Sequence, residues 1–111
     1  MGKFLVLYNS PMSAAEQMAK ATPEQMKAGM DAWMAWARRT GEGLVDFGVP
    51  LGSSKTVSSG SVGNGSSQAT GYSILQADSL DGAAKMLEDH PHLHTPGATI
   101  EVIEFLPMPG M

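Results

Sequence analysis

The chain has three histidines, at alternate positions in the stretch DHPHLHTPG: His90, His92 and His94. An imidazole can move a proton near neutral pH or ligate a metal through a ring nitrogen. Alternate residues face the same way only in an extended segment, and Pro91 and Pro96 interrupt any regular strand here. The three rings therefore need not converge. A metal centre wants three or four converging ligands, and the nearest further donor is Glu101. No metal and no cofactor is expected. Two readings of His90 stand side by side. One is a residue at a helix C-terminus, set against free carbonyls and the helix dipole. The other is a pocket residue that handles a proton. The plain reading of His92 and His94 is a solvent-facing loop. The functional one gives them a place in a pocket lining, together with Trp36 and Tyr72.

Asp46 is the second group able to do chemistry. It lies inside the stretch LVDFGVP, on the same strand face as Leu44 and Gly48. If that face looks into a cavity, desolvation raises the carboxyl pKa and a nearby imidazolium lowers it. Asp46 and His90 are then the expected catalytic residues, exchanging protons with a small acidic substrate. The other reading is an edge-strand carboxylate facing water, which discourages edge-to-edge pairing. The glycine-rich GSVGNG is not a phosphate loop, because no helix and no Lys-Ser/Thr ending follow it. Trp33 and Trp36 are three apart on one helix and so are surface neighbours. Trp33 falls on the apolar stripe and reads as core, while Trp36 lies toward its edge and could line a pocket or a contact between copies.

These groups need elements to hold them. Residues 3–9, KFLVLYN, form an apolar run typical of a strand buried on both faces. Ser13 and Glu16 have capping-box spacing, as do Thr22 and Gln25, with Pro23 at the first helical position. Met26, Met30, Trp33, Met34 and Ala37 follow at helical spacing, and Gly41 stops that helix. Residues 44–50 read as a second strand. Residues 53–70, rich in Ser and Gly, read as a loose hairpin arm or loop, with Asn64-Gly65 as its turn signal. Residues 71–77 give a third strand. Ser79 caps a helix whose inner face carries Leu80, Ala83, Ala84 and Leu87, and Pro91 ends it. Residues 99–105 give the last strand, and residues 106–111 an extended tail.

The order strand-helix-strand-strand-helix-strand predicts an α+β fold: a ferredoxin-like split βαβ (βαββαβ) with an antiparallel sheet. Right-handed crossovers put both helices on one sheet face. The strands nevertheless carry apolar residues on both faces, such as Leu5 and Leu7 behind Phe4, Val6 and Tyr8. An uncovered apolar face is a contact surface, so a homodimer through that face is expected.

Composition narrows the field. The 111 residues suit a single domain, with 42% hydrophobic and 16% charged residues. With a net charge of −4 and no basic stripe, neither nucleic acid nor an anionic membrane is an expected partner. The absence of cysteine excludes disulfides, thiolate metal sites and cysteine nucleophiles. No run is long enough for a membrane span, so a cytoplasmic protein is expected.

The segments KFLVLYNS, GLVDFGVPLG, GYSILQADSLDGAAKMLEDHP and GATIEVIEF resemble the YCII-related family, also called YciI-like or DGPF-domain proteins. The resemblance covers most of the chain. It implies a homodimeric α+β barrel with a pocket between the sheet and neighbouring elements, and it gives His90-Pro91 a pocket position. The Asp-Gly-Pro-Phe signature is absent, and GSVGNGSSQATG stands in its place. The YciI branch pairs a histidine of the first helix with an aspartate near the second strand. Here Asp46 lies near that aspartate, while the first helix has no histidine. Two functions are expected from this: an isomerase- or lyase-like enzyme acting on a small organic acid or carbonyl compound, or a non-catalytic ligand-sensing or accessory module using the same pocket.

Overall fold

The apolar run at the start alternates in burial although not in polarity. The computed structural model, which describes residues 2–109, makes this run a central strand, β1 (Gly2–Asn9). Phe4, Val6 and Tyr8 are buried, while Leu5 and Leu7 on the other face remain half-buried. The next segments are α1 (Ala14–Lys20), α2 (Pro23–Thr40), β2 (Leu44–Asp46), β3 (Lys55–Ser58), β4 (Ser61–Asn64), β5 (Ala69–Ala77), α3 (Leu80–Lys85) and β6 (Thr99–Glu104). The result is an α+β fold. Its main sheet runs β2-β5-β1-β6 with every neighbouring pair antiparallel, and β3 and β4 form a separate ribbon.

The helix ends follow their side chains. At the start of α2, Thr22 Oγ1 accepts from the Gln25 N–H at 3.1 Å, and Gln25 Oε1 accepts from the Thr22 N–H at 2.9 Å. Gly41, with φ 60°, closes the helix. At α1, Ser13 Oγ accepts from the Glu16 N–H, but the Glu16 carboxylate accepts from the Ser13 hydroxyl rather than from its backbone. The box there is half made. The apolar stripe of α2 does not become the core as a whole. Met26, Met30 and Met34 are exposed, Trp33 and Ala37 are half-buried, and Trp36 is the buried residue of the helix. Packing against the sheet is confined to the later turns, so a stripe at helical spacing overstates what is covered.

Trp36 and Leu87, the latter just beyond α3, join one cluster with Val6, Tyr8 and Leu75. The helices therefore cover one face of the sheet. α3 is shorter than its pattern suggests. Ala83 and Leu87 are buried, but Leu80 and Ala84 are exposed, and the helix ends at Lys85, well before Pro91.

Two connections differ from expectation. The turn of the β3–β4 arm is Ser59-Gly60 rather than Asn64-Gly65. Gly60 takes φ 81°, and Ser58 lies opposite Ser61 with their hydroxyls 2.6 Å apart. Gly65 instead sits at the foot of the arm, where its N–H donates to Ser54 O. β2 stops at Asp46 because the chain swings away at Gly48 (φ 79°) and rejoins β5 only through an isolated bridge between Pro50 and Gly71. The tail through residue 109 has no regular structure; the remainder of the tail assigned to residues 106–111 lies outside the described residues.

The molecule is flat, 49 × 43 × 20 Å, as two layers require, and its radius of gyration is 15.5 Å. That exceeds the roughly 13 Å of a compact chain of this length. Every residue of β3 and β4 is exposed, and a lone two-stranded ribbon is marginal in water.

Gly48 is required on two counts. A Cβ there would lie 1.8 Å from Tyr72 O, and its φ is positive. Gly48→Ala is expected to lower stability by at least about 1–2 kcal/mol from the left-handed backbone alone, with the clash adding to it. A urea titration checks this through the shift in midpoint.

Candidate functional site

Pro91 fixes the start of a short 3-10 turn, Pro91–His94, and His90 is its N-cap. His90 Nδ1 accepts from the His92 N–H at 3.0 Å. This differs from the reading of His90 as the C-terminal residue of a helix, since α3 ends at Lys85 and His90 instead begins the next turn. The ring has no exposed surface.

Aromatic rings surround it. The Trp33 ring centroid lies 4.4 Å away at 88°, that of Trp36 4.4 Å away at 63°, and that of Tyr8 4.7 Å away at 32°. Burial in this cage, aided by the charges of His92 and Arg39, pushes the His90 pKa down to about 3. The imidazole is therefore neutral at physiological pH. Because Nδ1 accepts a hydrogen bond, the proton resides on Nε2. Nε2 is buried with no hydrogen-bond partner among the described residues. Edge-on packing against aromatic faces gives a buried N–H weak electrostatic compensation at most.

His92 is buried too, which corrects the solvent-facing reading. Its Nε2 donates to Asn9 O at 2.9 Å, tying the 3-10 turn to the end of β1. His94 is exposed. Among the described residues, no group of three or more His, Asp or Glu side chains is placed to hold a metal ion.

A second polar chain crosses the same core. Tyr8 lies opposite Gly71 on β5, and its hydroxyl donates to Ser73 Oγ at 2.8 Å; Ser73 in turn donates to Phe47 O at 2.8 Å. The direction follows from Ser73 having one proton, already committed to the carbonyl. Burial pushes the Tyr8 pKa up to about 12 against the opposing pull of Ser73, so this phenol stays protonated at neutral pH. Trp36 Nε1 donates to Met86 O at 2.9 Å, locking the ring into the core. The tryptophan read as an edge residue is thus the buried one, and Trp33 is half-buried beside it.

Asp46 sits elsewhere. Its side chain is exposed, and Oδ1 accepts from the Gly48 N–H at 2.8 Å, a local turn that helps the chain leave β2. Its register partner is Ile74, which belongs to the face turned away from the helices. Tyr72 is half-buried on that same face. The structure thus gathers His90, His92 and Trp36 under the helices and leaves Asp46 and Tyr72 outside them. Two concavities stand out. One is a mainly apolar groove of about 200 Å³ lined by Ala84, Leu87, Glu88, Leu93, Ile100 and Val102. The other, about 140 Å³, includes Ser10, Ser13, Gly52, Ser67 and Thr70. Neither is lined by Asp46 or His90.

Sequence reasoning passed over Tyr8 and Trp33 as neighbours of the histidines, and Ser73 as the acceptor for Tyr8. The available signal was phase: Ser73 is the polar member of the buried set on β5, between Gly71 and Leu75.

Ser73→Ala leaves the Tyr8 hydroxyl without its acceptor and Phe47 O without its donor. It should cost about 1–3 kcal/mol, read from urea unfolding. The pH response has a definite sign. The unfolded His90 ring takes up a proton below about pH 6.5, while the native ring resists until about 3. Stability present above 6.5 is thus lost as pH falls toward 3, by up to about 1.4 kcal/mol per pH unit. His90→Gln should flatten that dependence, as the difference in urea midpoints between pH 7 and pH 4.5 will report.

No protein-family model matches this chain, and no curated protein matches it.

Proposed function

We propose that this chain is a self-associating, non-catalytic module that binds a small organic acid or carbonyl compound. Its architecture is a ferredoxin-like split βαβ, with the helix-free sheet face packed on that of a second copy as in dimeric α+β barrels. The strand order β2-β5-β1-β6 supports this reading, as does the resemblance of its strand and helix segments to the YCII-related family. The observation that carries it is the helix-free sheet face. There Leu5, Leu7, Tyr72 and Ile74 stay half-buried, and Ile103 and Phe105 are 41% and 46% exposed. Water-exposed apolar area of this kind, at about 25 cal/mol per Å², favours burial against another apolar surface. Asp46 and Tyr72 lie on or beside that face, so a second copy would enclose them in the contact, where a small polar ligand can be held.

Binding without turnover is favoured because the two proton-handling candidates do not share a cavity. A general acid or base must come within hydrogen-bond reach of its substrate. The Asp46 carboxylate is engaged with Gly48 in the open, and the His90 ring is sealed beneath Trp33, Trp36 and Tyr8. One observation favours the acid–base enzyme as a second reading. The unpartnered His90 Nε2 is what a core imidazole waiting for a ligand oxygen would show.

The association is checked by light scattering. The wild type should run at no less than twice 11.7 kDa, and Ile74→Lys, which puts a charge in the middle of the apolar face, should lower that mass. A thermal-shift screen of small carboxylic acids and carbonyl compounds finds the ligand. Recovery of the ligand unchanged after incubation, followed by NMR, supports the module. Conversion that disappears in His90→Ala supports the enzyme.

A further inference from the structure

The outer edge of β6 is a surface distinct from the open sheet face. Among the described residues β6 ends the sheet, with β1 on one side and no strand on the other. The Phe105 N–H donates to Lys3 O, and Phe4 lies opposite Glu104. The odd-numbered residues of β6 therefore direct their backbone groups at β1, and the even-numbered ones direct theirs outward. Ile100, Val102 and Glu104 accordingly present free N–H and C=O groups along an exposed edge, the usual template for strand addition.

Residues 105–108 have no regular structure in the single chain. Were pairing to extend β6 into them, Pro107 would fall on an inward, odd position, where a missing N–H costs the outer edge nothing, and Leu106 and Met108 would fall on outward, even positions that keep their donors. Both side chains are also conspicuously exposed, at 77% and 68%. Beside this edge, on the helix-covered side, lies the mainly apolar groove lined by Ile100, Val102, Leu87, Leu93 and Ala84, with Glu88 as its one charged residue. β6 and the segment after it thus bring together a free edge, a mainly apolar groove next to it and exposed apolar side chains. A surface that holds both halves of a contact is self-complementary, which is the requirement of a two-fold interface.

We propose that β6 and the following tail pair antiparallel with the same segment of a second copy about a two-fold axis at Ile103. Glu101 or Glu104 on the axis would set a carboxylate against its own copy, which is unfavourable across strands. With Ile103 on the axis, Val102 faces Glu104 and Ile100 faces the partner's Leu106, which enters the groove. The contact is an edge, not a face, so it stands whether or not the open sheet faces also pair.

Glu104→Pro removes an outward donor that makes no hydrogen bond in the isolated chain, so the fold should survive, as far-UV circular dichroism will verify. The expected result is a halving of the wild-type mass by light scattering; an unchanged mass overturns the proposal. Ile103→Cys supplies the second measurement. At a non-hydrogen-bonded pair the Cα atoms lie about 4.5 Å apart, within disulfide range, and the chain has no other cysteine. Mild oxidation should give a covalent dimer that the added Glu104→Pro change abolishes. Persistence of the cross-link in the double variant would mean that open-face contact, not the edge, brings the residues together, and would overturn the proposal. Ile74→Lys, which loads the face and not the edge, should leave the cross-link at Ile103→Cys intact.

Discussion

A single layer of helices can cover one face of a four-stranded sheet, and this sheet carries apolar residues on both. Val6, Tyr8 and Leu75 are sealed by Trp36 and Leu87, while Leu5, Leu7 and Ile74 behind them are only half-buried. A small domain already buries a modest share of its surface. The helix-free sheet face is covered only in part and the β3–β4 arm is exposed. The flat 20 Å profile, the exposed β3–β4 ribbon and the free edge of β6 all follow from that one shortage of covering layers.

On the covered side, the core is built from polar aromatics and imidazoles where aliphatic residues would serve packing alone. Each polar atom then needs a partner inside, because an unmet donor in a low-dielectric interior is costly. Most needs are met by a small network: Tyr8 through Ser73 to Phe47 O, Trp36 to Met86 O, His92 to Asn9 O, and the His92 N–H to His90. Among the buried side-chain polar atoms of the described residues, His90 Nε2 is the exception. The network fastens the loop after α3 to β1 and α2, so the segment that looked most reactive in the sequence also anchors the helical layer.

Much of the secondary structure was legible in the residues because its causes are local. The Thr22/Gln25 box, Pro23, Gly41 and the Ser79 cap act within a turn of chain, and the helices begin where those residues stand. The hairpin turn was misplaced because Asn-Gly and Ser-Gly are both competent turns, and strand pairing on either side decides between them. The α2 stripe misled for a similar reason. Periodicity shows which side of a helix is apolar, and says nothing of how far along its length a sheet lies beneath it. The candidate site was legible only in part. His90 and Trp36 stood out by type, but their shared cage with Tyr8 and Trp33 joins residues far apart in the chain.

By itself, the sequence determined the α+β element order, the helix caps, the lack of any thiol chemistry and the presence of apolar side chains on both faces of the strands. These are properties of neighbours along the chain and of composition. Only the tertiary structure decided that His90 would be a neutral core residue, that Asp46 would stand in water beside Gly48, and that Trp36 rather than the Met stripe would fill the core. The reason is physical. Ionisation and burial depend on what surrounds a group in space, and the surroundings of each of these residues are supplied by segments tens of residues away.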